Sequence, residues 1–162
     1  MAAKKPSAPA MAGRTVQHAT FVIERTYDAP PSLVFKAWAD EEAKARWFGA
    51  SGEWQLINRE FDFRVGGRER LKGRWPNGRI TAFDSLYQDI VTEQRIVYSY
   101  DMHIDGKRIS VSLATIEFKP LGAGTGLTVT EQGVFLDGYD DAGSREQGTR
   151  ALLDKLDAAL RS

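Results

Sequence analysis

The stretch RTYDAPPSLVFKAW at residues 25–38 contains a strand-to-helix transition, and this transition decides how the rest of the chain is interpreted. It closes an alternating, β-rich run at residues 19–27, which predicts a strand. Prolines follow, and they are tolerated at the start of a helix because the N–H groups that they lack would be unpaired there. The apolar residues after them recur at helical spacing, so we predict a short helix that ends near Ala39. The chain therefore passes from a strand directly into a helix.

A second short helix is predicted immediately after the first. Asp40 is a natural N-cap, and Glu41 and Glu42 occupy the first turn, where the helix dipole favours negative charge. We expect this helix to end near residues 47–48, because Gly49 is a suitable residue for the turn that closes a helix.

The end of the chain predicts a long C-terminal helix. We expect it to begin between Asp140 and Ser144, where Ser144 and Gln147 resemble a capping box. Gly148 lies inside this helix at a cost of about 1 kcal/mol relative to alanine, and a close approach to the sheet is one reason to accept that cost. The apolar stripe of the helix is formed by Leu152, Leu153, Leu156 and Leu160.

Between these helices the pattern is one of strands and turns. Glycine pairs and Asn-Gly or Asp-Gly steps divide it into short runs. We predict strands at residues 54–58, 61–65, 68–75, 80–91, 95–104, 109–119 and 127–133. Strands joined by hairpins pair antiparallel, and only the C-terminal helix is long enough to cover one face of such a sheet. The prediction is an α+β domain at residues 19–162, preceded by a disordered tail at residues 1–18.

Composition and charge narrow the classes of function. The 162 residues include 22 Lys and Arg and 22 Asp and Glu, and this zero net charge argues against nucleic-acid binding. There is no cysteine, which excludes disulfides and thiolate chemistry and fits a reducing compartment. No apolar run reaches the roughly 20 residues of a membrane span, and the N-terminus lacks the apolar core of a secretory signal. We expect a soluble, cytoplasmic protein.

Patterns of metal ligands, nucleophiles and phosphate-binding loops are absent from the sequence. The two histidines are His18 and His103, and neither belongs to a metal-binding spacing. The glycine-rich segment at residues 122–126 lies between two predicted strands and opens no helix, so it is a hairpin and not a dinucleotide loop. We therefore predict no metal and no cofactor.

Four stretches carry a resemblance to a known family: residues 25–49, 61–68, 90–98 and 146–156. On these motifs the chain resembles the SRPBCC or START-like superfamily over about residues 20–161, and within it the branch named after activators of the heat-shock-protein 90 ATPase. The resemblance implies a helix-grip, Bet v-like fold, in which a curved antiparallel sheet wraps around the C-terminal helix and encloses an apolar cavity. Thr149 departs from the pattern, since many relatives carry tryptophan there, and this changes the cavity.

This superfamily includes lipid carriers, hormone receptors, polyketide cyclases and co-chaperone domains. The resemblance implies that a small hydrophobic or aromatic molecule is held between the sheet and the C-terminal helix. Tyrosine and tryptophan suit such a pocket because they combine a large apolar area with one polar group. The side chains that we expect to contact the ligand are Trp47, Phe48, Leu71, Trp75, Phe83, Tyr98, Tyr100, Ile116, Val129, Thr149 and Leu152.

Two carboxylates fall on the face of the sheet that should be buried. Strand alternation puts Glu69 and Glu131 on the same side as neighbouring apolar residues. A buried carboxylate needs a partner or a shifted pKa, so both are candidate general acids or bases of a cyclase- or dehydratase-like enzyme. The alternative is that each sits at the cavity mouth or pairs with an arginine such as Arg145 or Arg150.

A third hypothesis is a chaperone-associated interaction domain. It ranks last, because the related activators usually have an additional N-terminal domain that a tail at residues 1–18 cannot supply. A homodimer is a further expectation, since an open sheet leaves edge strands that need protection. Among the functions, ligand binding is favoured over catalysis, because no complete catalytic motif is present.

Overall fold

The structure, a computed structural model, describes residues 13–50 and 52–162. Seven strands and three helices follow one another in the predicted order. They are β1 (Val16–Tyr27), α1 (Pro31–Ala39), α2 (Glu41–Ala45), β2 (Gln55–Phe61), β3 (Arg68–Arg74), β4 (Ile80–Val91), β5 (Arg95–Ile104), β6 (Lys107–Leu121), β7 (Gly124–Leu136) and α3 (Ala142–Arg161).

The strands form one antiparallel sheet in the order β1-β7-β6-β5-β4-β3-β2. Hairpins account for the run from β2 to β7, and β1 adds to the far side of β7 along its whole length. The sheet curves without closing, so β1 and β2 are its edges. This is the predicted α+β helix-grip architecture, with α3 packed inside the concave face.

The long helix is fixed to the first strand by polar contacts at its middle. The buried hydroxyl of Tyr27 donates to the carbonyl oxygen of Leu153 at 3.0 Å, and Arg25 pairs with Asp154 at 2.6 Å. Leu153 and Leu156, both from the predicted apolar stripe, are fully buried. The helix therefore packs on the sheet through its leucines. No helix in the described part of the chain is long and apolar enough to cross a bilayer.

The first short helix ends at Ala39, as the sequence predicts, whereas the second ends at Ala45 and not at the expected residues 47–48. Asp40 caps α2, where its side chain accepts a hydrogen bond from the backbone N–H of Ala43 at 3.0 Å. The indole rings of Trp38 and Trp47 then pack edge to face with centroids 4.7 Å apart. This contact folds the α1–α2 corner onto the core, and it brings Lys44 of α2 into the interior.

Several predicted strand boundaries are wrong: β2, β6 and β7 extend beyond the expected residues 54–58, 109–119 and 127–133, and two further differences have a clear cause. β1 begins at Val16, three residues before the expected start, because its pairing with β7 continues to Leu136. Residues 1–12 of the predicted tail lie outside the described residues. The expected strand at 61–65 does not form. Phe61 ends β2, and Phe63 instead packs its ring on Tyr87 at 5.0 Å while the backbone turns toward β3.

Two expectations for the C-terminal helix also need correction. The N-cap is Asp141 and not Ser144, because the Asp141 carboxylate accepts from the backbone N–H of Ser144 at 2.8 Å. Gly148 does not mark a close approach to the sheet, since a methyl group placed on it would meet no atom within 4 Å. The space beside Gly148 is instead part of a cavity.

Candidate functional site

A cavity of about 560 Å³ lies between α3 and the concave face of the sheet. All eleven side chains expected to contact a ligand stand on its wall, with Glu131. The aromatic residues among them line the space and do not fill it. Their role as ligand contacts stays a prediction. The wall also includes residues that were not predicted, among them Trp38, Trp54, Met102, Asp140, Arg145 and Lys155.

Trp54 covers one end of the cavity through a contact that only glycine allows. Its indole lies directly over Gly73 in β3, where an added Cβ would be 2.0 Å from the ring. The indole N–H donates to the hydroxyl of Thr81 at 3.1 Å, which fixes the ring orientation. Nearby, the ammonium group of Lys155 on α3 donates to the backbone carbonyl of Gly49. This bond joins α3 to the segment that follows α2.

A polar cluster forms another part of the wall. The Tyr100 hydroxyl donates to Oε1 of Glu131 at 2.5 Å. Arg145 on α3 donates to the same hydroxyl oxygen at 3.0 Å and to Ser110 at 2.8 Å. Its guanidinium also pairs with Asp140 at 2.9 Å. The strand supplies a carboxyl, and the helix supplies a cation that reaches it through Tyr100.

Burial changes the protonation chemistry of this cluster. Loss of water contact raises the pKa of Glu131, and the hydrogen bond from Tyr100 and the charge of Arg145 oppose that rise. Burial also raises the pKa of Tyr100, with the Glu131 carboxylate acting in the same direction. Tyr100 is thus a donor near neutral pH, and Glu131 is a carboxyl that holds its proton more tightly than an exposed glutamate.

Glu69 belongs to a separate cluster behind the wall. Its Oε1 atom accepts from the ammonium of Lys44 at 2.6 Å and from the Tyr87 hydroxyl at 2.7 Å. Each of these three residues is only 1% exposed. Glu69 does not line the cavity, so the expectation that both carboxylates face the same space is wrong. The predicted arginine partner is also wrong here, because the cation is a lysine from α2.

Lys44 is held in an aromatic surrounding. Its ammonium lies 4.3 Å from the ring centroid of Phe48 and 5.4 Å from that of Trp38. Burial lowers the pKa of Lys44, and the adjacent Glu69 opposes the shift. Because Phe48 itself lines the cavity, one ring separates the ion pair from that space. Nothing in the sequence pattern indicated this role, because Lys44 lies in a short helix with charged neighbours.

The arrangement limits the chemistry that the site can perform. Only Glu131 of the two candidate carboxylates is available to a bound molecule. The hydroxyls of Tyr100 and Thr149 act on its carboxyl, and Tyr98 lines the same cavity. Within residues 13–50 and 52–162, no group of three His, Asp or Glu side chains could hold a metal ion. What the wall offers is a large apolar surface with a hydrogen-bonding patch at one place.

Comparison with known proteins places the chain in a family. Residues 28–161 match the family described as Activator of Hsp90 ATPase homolog 1-like protein. None of the curated proteins matches the chain.

Solved structures agree with this match. An uncharacterized protein from Rhizobium leguminosarum is 47% identical, with a TM-score of 0.87 over 91% of this chain and 97% of that one. The Mll3558 protein from Rhizobium loti is also 47% identical, with a TM-score of 0.83 over 90% and 99%. Protein CV1439 from Chromobacterium violaceum is 25% identical, with a TM-score of 0.74 over 88% and 97%. The chain therefore belongs to the Activator of Hsp90 ATPase homolog 1-like family, within the START-like superfamily.

Proposed function

We propose that this protein binds a small, mostly apolar molecule in the cavity between α3 and the sheet. The observation that carries the proposal is the cavity itself, which has a volume of about 560 Å³. Sites for small organic ligands typically measure roughly 300–1,000 Å³ and combine an apolar wall with a few polar groups. The wall described above has both properties.

The energetics support a carrier or sensor. Burial of apolar surface is worth about 25 cal/mol per Å², so a ligand that fills an aromatic-lined cavity gains affinity without specific chemistry. Water in such a cavity has few polar partners and is readily displaced. The polar cluster around Glu131 would orient the ligand.

Extraction of bound molecules tests the proposal directly. The purified protein is measured by native mass spectrometry, and the extract is analysed for compounds that are absent from a mock purification. We expect a bound small molecule, or binding of members of an apolar and aromatic compound library.

A cavity-filling variant provides the control. Thr149→Trp places on the cavity wall the residue that many relatives carry, and we expect it to fold and to lose most ligand binding. Thr20→Trp makes the same substitution on an exposed position of β1, and we expect it to bind normally. Ligand binding that is equal in both variants would contradict a site in this cavity.

A second candidate is a cyclase- or dehydratase-like enzyme, favoured by the raised pKa of Glu131 on a cavity wall. In this case Glu131 transfers a proton and a tyrosine hydroxyl polarises a carbonyl. The test compares turnover of hydroxyketone substrates by the natural protein and by Glu131→Gln. Enzyme function requires that the variant binds substrate and loses turnover by about 100-fold or more.

A further inference from the structure

The cavity wall presents two oxygen atoms to which no described residue donates a direct hydrogen bond. They are Oε2 of Glu131 and the hydroxyl of Tyr98. The Thr149 hydroxyl lies close to the Glu131 carboxyl, but it donates to the carbonyl oxygen of Arg145 at 3.0 Å. Glu131 and Tyr98 are only 5% and 6% exposed, yet neither of the two oxygens is among the buried unpaired polar atoms that water cannot reach. Because both residues line the cavity, these oxygens open onto it, and a ligand is able to satisfy them.

The sheet places these two groups on one line across its strands. Tyr98 on β5 is the register partner of Ala114 on β6, and Ala114 is the partner of Glu131 on β7. Register partners on neighbouring strands point to the same face of the sheet, so both side chains lie on the concave side. Only a methyl group lies between them. Tyr98 and Glu131 therefore line the same part of the cavity.

The hydrogen bonds behind Glu131 have a fixed direction. Arg145 has only donors, and it donates to the oxygen of the Tyr100 hydroxyl. The proton of that hydroxyl is then directed at Oε1 of Glu131. Oε1 is therefore occupied as an acceptor. A proton held by Glu131 belongs on Oε2, where it faces the cavity as a donor.

The charges that face Glu131 favour a neutral ligand. From β5 it meets the neutral hydroxyls of Tyr98 and Tyr100, and from α3 it meets Arg145, whose charge is offset by Asp140 just before that helix. Because these two charges are paired with each other, neither is left to balance the charge of a cationic or anionic ligand, whose desolvation in the cavity would be uncompensated. Burial raises the pKa of Glu131, which keeps the proton on the carboxyl to higher pH.

We propose, on the basis of the ligand-binding function above, that the cavity selects uncharged molecules that carry a carbonyl oxygen or an equivalent neutral acceptor. Oε2–H of Glu131 and the hydroxyl of Tyr98 donate to that oxygen, and the apolar body of the molecule lies against the aromatic wall. Glu131 is then a specificity-determining residue that works in its protonated form.

Four naphthalene derivatives substituted at the same carbon test this selection: a methyl ketone, an ethyl hydrocarbon, a primary ethylamine and a carboxylic acid. Their affinities for the full chain are measured by isothermal titration calorimetry from mildly acidic to mildly alkaline pH. We expect the ketone to bind about 25-fold more tightly than the hydrocarbon at acidic pH, because each of two added net hydrogen bonds is worth about fivefold. As rising pH removes the proton from Glu131, the ketone should lose the Glu131 share of this advantage and keep the share of Tyr98.

The variant Glu131→Gln tests whether the pH dependence comes from ionisation of Glu131, because it keeps a hydrogen-bond donor at this position. The amide keeps an N–H donor and cannot ionise, so we expect the variant to prefer the ketone at every pH measured. Glu131→Leu keeps only the Tyr98 donor, and there the advantage of the ketone should fall to about fivefold at every pH, the value of one net hydrogen bond. Glu117→Gln changes an exposed glutamate on the outer face of β6 and should leave all affinities unchanged.

The remaining outcomes contradict the proposal in distinguishable ways. Tightest binding of the amine, with an affinity that rises with pH, overturns it in favour of a cation site. Equal binding of ketone and hydrocarbon overturns the selection but leaves the ligand-binding function intact. If none of the four compounds binds and extraction also yields no ligand, the inference and the proposed function both fail.

Discussion

Glu69 and Glu131 are two carboxylates on the concave face of one sheet, and they occupy opposite situations. Glu69 is 1% exposed and pairs with the Lys44 ammonium at 2.6 Å. Glu131 is 5% exposed, and its closest partner is the hydroxyl of Tyr100 at 2.5 Å. Each leaves Oε2 without a partner, but that atom is sealed in Glu69 and opens to the cavity in Glu131.

The comparison shows that burial alone does not identify a functional carboxylate. Glu69 has a cation of its own and no route to a ligand, so its cluster joins α2 to β3 as a structural element. Glu131 shares its cation with other groups through Tyr100 and keeps one oxygen available. Polar atoms that lack a hydrogen-bond partner and open to a cavity are therefore a better sign of a candidate site than burial alone.

The largest effect is expected from breaking the sealed pair. Lys44→Met leaves Glu69 buried without its cation, and we expect a loss of about 3–5 kcal/mol in the free energy of unfolding. Urea denaturation followed by circular dichroism measures the change. Replacing the exposed Lys72 by methionine is the matched control and should be nearly neutral.

A double variant tests the reason for that loss. Lys44→Met combined with Glu69→Gln removes both charges and keeps an acceptor for the Tyr87 hydroxyl. We expect it to recover a large part of the lost stability, because an uncompensated buried charge is what makes the single variant costly. If the double variant is as unstable as the single one, packing and not charge explains the effect.

Removing one hydroxyl from each cluster compares them directly. Tyr87→Phe takes a donor from the sealed Glu69, and we expect a loss of about 2 kcal/mol. Tyr100→Phe takes the equivalent donor from Glu131, where water in the cavity can replace it, so the loss should stay below about 1 kcal/mol. Both values come from urea denaturation of the ligand-free protein. Equal losses of unfolding free energy would mean that water has the same access to both clusters.

Gly148→Ala is expected to stabilise the protein by up to about 1 kcal/mol, because alanine is the better helix former. The added methyl group meets no atom within 4 Å, so no clash should cancel the gain. The same methyl group enters the cavity, and we expect weaker ligand binding. Thermal unfolding and calorimetric titration measure the two effects, and a destabilised variant would contradict the open space beside Gly148.

The smallest effect depends on pH. The folded-state pKa of Glu131 is raised by burial, so the stability linked to its proton is present below the unfolded-state pKa and is lost as pH rises through the folded-state pKa. Glu131→Gln cannot ionise and avoids that loss. We expect the variant to match the natural protein at low pH and to exceed its stability at higher pH. Urea denaturation across pH is the measurement, with Glu117→Gln as the control.

The sequence was sufficient to predict the fold and the residues that the sheet contributes to the site. Regular alternation located Glu69 and Glu131 on the buried face, and the leucine stripe located α3. Alternation does not show what covers a face, so the Lys44 partner of Glu69 was missed: the two residues are 25 positions apart, and only the docking of α2 joins them. The predicted strand at 61–65 was wrong for the same reason. Phe61 and Phe63 alternate because both rings pack on Tyr87, and only Phe61 belongs to a strand.

All four tryptophans of the chain, Trp38, Trp47, Trp54 and Trp75, stand on the cavity wall. Indole emission depends on the polarity around the ring, and here no tryptophan elsewhere in the sequence contributes a constant background. An apolar molecule that displaces water from the cavity should therefore shift the intrinsic fluorescence of the protein to shorter wavelength. The wall that would hold the ligand also supplies an optical signal of its arrival, without any added label.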